Sequence, residues 1–183
     1  PLAPEHRLEG FDCGNPSLND WLLRHARQAQ GSGSARTFVV TDDERLAGYF
    51  SLTVGQVDTL DAPDRVRKGM GQYPVPVGIR ARRAVARSDQ GRGIGMLQDA
   101  IRRTMLIAEQ AGIRAMLTHP IDDAAARFYS RFGFIPSPLR DQQLLLLPVH
   151  RQAQAHGRHL DVVHVALLRV GLEVRRADAA EIG

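Results

Sequence analysis

Leu18, Trp21, Leu22, Ala26 and Ala29 recur at helical spacing, and the run opens on Asn15-Pro16. Asparagine suits an N-cap, and proline fits the first helical position, where its missing N–H costs nothing. The spacing predicts a helix from Pro16 to about Gln30, ended by Gly31-Ser32-Gly33-Ser34. Thr37–Val40 and Leu46–Val54 then read as strands joined by a turn at Asp42-Asp43-Glu44-Arg45, which makes a hairpin. Residues 55–74 mix glycine, proline and charge, with a short helix expected around Ala62–Lys68. Val75–Val85 reads as a strand broken by Pro76 and interrupted by Arg80, Arg82 and Arg83.

After a glycine-rich loop at Gln90–Gly95, the apolar positions Leu97, Ile101, Met105 and Ala108 predict an amphipathic helix, with Gly112 placed to stop it. Arg114–Thr118 is a short strand. Asp122 or Asp123 caps a helix carrying Ala125, Phe128, Tyr129 and Phe132, closed by Gly133, and Phe134–Ile135 and Gln142–Leu147 supply the last strands. Strands and helices in this order predict an α/β (mixed α+β) fold, a mixed sheet with helices on its faces. Residues 1–150 are expected to form one domain. Residues 151–183 differ in composition and read as an appended segment, with edge strand, helix and poorly ordered tail all open.

Composition narrows the classes. A chain of 183 residues with 43% apolar content fits one ordinary globular domain. No stretch approaches the roughly 18 uninterrupted apolar residues of a membrane span, and no secretory signal is visible. The single cysteine, Cys13, excludes an internal disulfide and a multi-cysteine metal site, which fits a cytoplasmic protein. No His/Cys/Asp cluster shows ligand spacing, so no metal is expected. The net charge of +4 comes almost wholly from arginine, Lys68 being the only lysine. Arginine forks match phosphate and carboxylate, so an anionic partner and a merely solvated surface are both open.

The sharpest chemical signal is Gln90-Gly91-Arg92-Gly93-Ile94-Gly95 between a strand and a helix. Glycines let successive backbone N–H groups converge on an anion, and the helix adds unpaired N–H groups and the positive end of its dipole. That combination seats a phosphate or pyrophosphate, and Arg92 adds a charge. No Lys-Ser/Thr pair follows, so this is not a P-loop, and the glycine spacing is not the dinucleotide fingerprint. A tight turn with glycines kept for packing is the competing reading. Tyr129 shares an apolar stripe with Ala125, Phe128 and Phe132, so spacing alone leaves core packing and catalysis both open. His25, His119 and Cys13 are read as structural.

Gln90-x-x-Gly93-x-Gly95 after a strand resembles the acetyl-CoA signature of the GNAT superfamily of N-acetyltransferases. The resemblance covers roughly residues 5–148 and is closer to one branch, the toxins paired with ribbon-helix-helix antitoxins. Four ordered pieces carry it: Gly10–Leu22, Ser34–Val40, Gln90–Gly95 and Arg127–Phe134. The resemblance implies a mostly antiparallel sheet with splayed central strands. It implies a cofactor site made by Ala84, Val85, Gln90, Gly91, Arg92, Gly93, Ile94 and Gly95, with acetyl-CoA as acetyl donor and no metal. It places Tyr129 near the thioester sulfur as catalytic acid. The implied substrate is the α-amino group of an aminoacyl-tRNA, whose acetylation blocks translation. The implied partners are a cognate ribbon-helix-helix antitoxin, operator DNA through that complex, and a second copy of the chain as homodimer. Arg24, Arg27, Arg36, Arg65, Arg67 and Lys68 are candidate tRNA-phosphate contacts.

Two features depart from the pattern. Relatives usually carry apolar residues where this chain has Arg80 and Arg83. They also carry two more residues between the last loop glycine and the leucine pair of the next helix, whereas Met96-Leu97 follows Gly95 at once. Two residues correspond to about 200° of helix rotation. These features keep two alternatives open: a catalytically impaired scaffold acting through antitoxin and operator DNA, and an acetyltransferase for a protein or small-molecule amine.

Overall fold

The computed structural model describes residues 1–91, 93–138 and 145–149. Arg92, the first residues of the strand expected over Gln142–Leu147, and residues 151–183, expected as an appended segment, lie outside the described residues.

The Asn15 cap forms as expected, its Oδ1 accepting from the N–H groups of Ser17 (3.0 Å) and Leu18 (3.3 Å). The single helix expected over 16–30 is two: α1, Pro16–Arg24, and α2, Ala26–Gly31, with His25 between them at φ −117°. No proline or glycine marks that break. Tertiary ties account for it: Arg27 donates to the carbonyls of Ala3 and His6, and Gln30 to that of Leu2, which fixes α2 to the N-terminal segment.

The hairpin pairs β1, Arg36–Asp42, with β2, Arg45–Val57, in antiparallel register Phe38↔Phe50, and Asp43 takes the left-handed turn position at φ 53°. A 3-10 turn at Thr59–Asp61 and the four-residue α3, Asp64–Arg67, stand where one short helix was expected. β3, Val75–Val85, runs unbroken. Pro76 does not split it, and the Pro76 carbonyl accepts from the N–H of Arg114 at 2.9 Å. A 3-10 turn, Arg87–Asp89, leads to α4, Gly93–Ala111. Then come β4 (Ala115–Thr118), α5 (Asp123–Arg131), β5 (Ile135–Pro136) and β6 (Leu145–Pro148). Gly112 at φ +68° and Gly133 at φ +88° take up the left-handed positions that end α4 and α5. The hydrogen-bonded strand order is β1-β2-β3-β4-β6-β5, and β6 is antiparallel to both β4 and β5.

The chain divides into two compact units. The first comprises Pro1–Thr53 and Arg80–Ala100, with a core of Leu8, Phe11, Leu22, Leu46, Tyr49 and Ala84. Trp21 stacks on Tyr49, whose hydroxyl donates to the Leu18 carbonyl at 2.8 Å. The second comprises Val54–Ile79 and the described residues from Ile101 on, with a core of Val66, Val75, Val77, Ala115, Leu117 and Leu146. Among the described residues, no helix is long and apolar enough to cross a membrane.

Candidate active site

α4 begins at Gly93, so Gly93 and Gly95 lie inside its first turn. With the helix starting within the glycine run, Met96 and Leu97 are buried, at 5% and 0% exposure. Met96 packs against Gly48 of β2, where a Cβ would come within 2.9 Å of its sulfur. Gly91 sits at φ +101°, a conformation side-chain-bearing residues rarely adopt. The Gln90 side chain turns back and donates to the Val85 carbonyl at 3.3 Å. Ala84 and Val85 are both buried. Ala84 faces the core of the first unit, and Val85 faces Gly93. Ile94 is half-buried and Gly95 exposed with open space about it.

Two ion pairs hold the turn that leads into this loop. Arg87 reaches Asp12 at 2.9 Å, and the Arg87 N–H donates to the Asp12 carbonyl at 2.9 Å. Asp12 also accepts from the Gly14 N–H and from Asn19. The Gly14 N–H chiefly, with Asn19 and Arg87, holds its carboxyl below the usual carboxylate range. Arg45, at the start of β2, meets the buried Asp89 at 2.6 Å, and that hydrogen bond raises its guanidinium pKa. Asp12, Arg45, Arg87 and Asp89 therefore position the loop, a role the sequence reading missed. The partners lie far apart in the chain, and charge spacing carries no signal for such pairs. The Gly10–Leu22 piece was legible as a motif, and its place here explains it: Asp12, Cys13 and Asn19 form one hydrogen-bonded knot that receives Arg87.

Tyr129 belongs to the second unit, on α5. Asp122 caps that helix, accepting from the Ala125 N–H at 2.7 Å. Tyr129 is 5% exposed. Its ring meets Phe128 edge-on at 5.1 Å and lies tilted against Phe134 at 5.3 Å. The Tyr129 carbonyl accepts from the N–H groups of Phe132 and Phe134, which closes the helix. The ring is thus fixed by packing. His119 follows β4, and desolvation lowers its imidazole pKa. Cys13 donates its S–H to Asn19, a structural contact. Of the basic residues, Arg24 is paired with Asp20, Arg67 with Asp64, and Arg27 is spent on backbone carbonyls. Arg36, Arg65 and Lys68 are exposed. No group of three His, Cys, Asp or Glu that could hold a metal occurs among the described residues.

No family model matches the chain. A tRNA-acetylating toxin of Mycobacterium tuberculosis is 43% identical over 142 residues, covering 76% of this chain and 85% of that protein. The chain belongs to the tRNA-acetylating toxins. Among solved structures, AtaT complexed with acetyl-methionyl-tRNAfMet shares the fold at a TM-score of 0.73 and 24% identity, covering 80% of this chain and 89% of that one. A Tyr→Phe mutant of AtaT, bound to the C-terminus of the antitoxin AtaR and acetyl-CoA, matches at a TM-score of 0.64 and 23% identity, covering 78% and 85%. These members of the toxin family share the α/β architecture, a mostly antiparallel sheet flanked by helices, expected from the sequence.

Proposed function

We propose that this chain is an acetyl-CoA-dependent N-acetyltransferase, a toxin that acetylates the α-amino group of aminoacyl-tRNA and so blocks translation. The observation that carries it is the 43% identity to a tRNA-acetylating toxin across 85% of that protein. A glycine run at the start of a 19-residue helix agrees with it. Acetyl-CoA supplies an acyl group activated as a thioester with a thiol to be released. Gly91 and the first turn of α4 fit the pyrophosphate: Gly91 is in the left-handed region, that turn carries no acidic residue, and Gly95 leaves open space. Ala84, Val85, Gln90, Arg92 and Ile94 complete the proposed cofactor site. Ala84 and Val85 are assigned to it as the strand end beside the pantetheine arm, and Gln90 as the brace of the loop.

The transfer forms an N–C bond to the amine and breaks the C–S bond. A free α-amino group has a pKa of about 7.7–8.0, so a neutral fraction exists near neutral pH without a strong base. The amine loses its proton to solvent, and the departing sulfur gains one. We assign that proton to the hydroxyl of Tyr129, which recovers it from solvent. The partners proposed are aminoacyl-tRNA, a ribbon-helix-helix antitoxin, operator DNA through that complex, and a second copy of the chain. The proposed location is the cytoplasm, where charged tRNA is found. Residues 1–150 are proposed as the catalytic domain and 151–183 as an addition.

Tyr129→Phe tests the assignment. It keeps the ring contacts to Phe128 and Phe134 and removes one oxygen. Thermal stability and acetyl-CoA affinity should change little, while acetylation of bulk aminoacyl-tRNA should fall about 10²–10⁴-fold. In cells the variant should relieve growth arrest at unchanged abundance. Full acetylation by the Phe variant would reduce Tyr129 to a packing residue, and absence of acetylation by the unmutated chain would favour the scaffold alternative.

A further inference from the structure

β3 sends its neighbouring arginines to opposite sides, as successive side chains of a strand must go. Arg83 turns with Val85 toward Gly93 of α4. Arg82 shares the other side with Ala84, the side on which Ala84 packs into the core of the first unit. There the Arg82 guanidinium is held 4.7 Å above the ring centroid of Trp21. Trp21 stacks in turn on Tyr49, at 5.8 Å and 17° between planes, and the fully buried Tyr49 is anchored through its hydroxyl on the Leu18 carbonyl. The charge thus rests on an aromatic pair rooted in the core.

What it lacks is an oxygen. A cation over an aromatic ring uses its charge and leaves its N–H donors unspent. Among the described residues, no carboxylate pairs with the Arg82 guanidinium, and no carbonyl or hydroxyl accepts from it. Elsewhere in the same unit Arg7, Arg24, Arg45 and Arg87 each hold a carboxylate, with side chains half exposed or more. Arg82 is half-buried, so it has given up more water than they have and gained no acceptor in return. That costs free energy until an anion supplies one. A guanidinium fixed by packing also loses little further freedom on binding, and its fork fits two phosphoryl oxygens.

The chemistry of the two substrates decides which anion. Ala84 is assigned to the strand end beside the pantetheine arm, and Arg82 stands two residues, about 7 Å, farther from the loop. The pantetheine arm is uncharged and the phosphates of acetyl-CoA belong at the loop end, so the donor offers Arg82 no anion. The acceptor does. In aminoacyl-tRNA the charge nearest the reacting amine is the phosphodiester on the 5′ side of the terminal nucleoside. We propose that Arg82 binds the acceptor end of the tRNA, its guanidinium, held over Trp21, donating to that last phosphodiester. The proposal rests on the reading of the chain as an aminoacyl-tRNA acetyltransferase.

The test compares two aminoacyl-tRNAs on the full chain, charged with an amino acid that the protein acetylates in bulk aminoacyl-tRNA. One carries the natural final phosphodiester, the other an uncharged methylphosphonate of nearly the same shape. At saturating acetyl-CoA the wild type should show a KM about 10–100-fold higher for the methylphosphonate, the span for one charge-assisted hydrogen bond, with kcat little changed. Arg82→Met should raise KM for the natural acceptor by that factor and show no preference between the two, at wild-type affinity for acetyl-CoA. Arg82→Lys keeps a charge without the fork and should recover part of the preference. Both acceptors are compared within one variant, so any loss of folded protein cancels. A preference undiminished in Arg82→Met overturns the proposal, and an equal rise in KM for both acceptors would leave Arg82 as a packing partner of Trp21. A wild type indifferent to the linkage overturns it as well. A wild type that acetylates a protein or small-molecule amine but no aminoacyl-tRNA overturns the underlying reading instead.

Discussion

His119 shows how one side chain reports its surroundings. Partial desolvation lowers its imidazole pKa below the ordinary 6.5 by disfavouring the charged form, while the residue as a whole stays exposed, so its effect on stability is small. The folded pKa is then below the unfolded one, so the unfolded chain binds more protons in the window beneath 6.5. The His119 contribution should leave stability at its full value above about pH 6.5 and lower it as pH falls below that. Melting curves from pH 5 to 8 for the wild type and His119→Gln should diverge only in the acid part, with the Gln variant losing less. Parallel curves across the range would remove this role. Tyr129 marks the limit of legibility at this scale. Its stripe and its helix were readable from spacing, whereas its 5% exposure and its contacts to Phe128 and Phe134 needed coordinates.

Local signals placed elements well and their limits less well. Asn15 caps the helix it was expected to cap, and of the two candidates Asp122 and Asp123 it is Asp122 that caps α5, because a side-chain acceptor two or three residues from an orphan N–H is a local matter. The break at His25 and the start of α4 at Gly93 were not readable. Both depend on packing partners elsewhere in the chain. The 87–89 turn makes the same point and is testable. Asp89 is 4% exposed and accepts from Arg45 and Ser88. Asp89→Asn keeps the shape and removes the charge, so it should cost about 1–3 kcal/mol, seen as a melting temperature several degrees lower. Acetyl-CoA affinity should fall with it, while kcat at saturating acetyl-CoA stays near wild type, since Asp89 positions the loop rather than touching the reacting atoms. A fall in kcat with unchanged affinity would contradict that role.

Across the whole molecule the arginine-rich charge makes a quantitative expectation. Arg24, Arg27 and Arg67 are engaged within the fold, leaving Arg36, Arg65 and Lys68 as exposed candidates for tRNA phosphates. KM for aminoacyl-tRNA should rise steeply with salt. Replacing Arg36, Arg65 and Lys68 together by alanine should lower the log–log slope by about 2–3, close to 0.7–0.9 per lost phosphate contact. An unchanged slope would move the RNA contact elsewhere. The sequence by itself determined the order of strands and helices, the glycine loop and its anion-seating chemistry, and the membership that its four motifs announced. Periodicity, caps and glycine spacing act within a few residues, so they can be read along a line. Only the tertiary structure decided where α4 begins, which arginines are spent on the fold, that Asp12 and Arg45 hold the turn before the loop, and that Arg83 lies against Gly93. Each of these depends on groups distant in the chain being brought together by closing long loops. The entropy of that closure is offset by packing of the whole domain, not by any one segment.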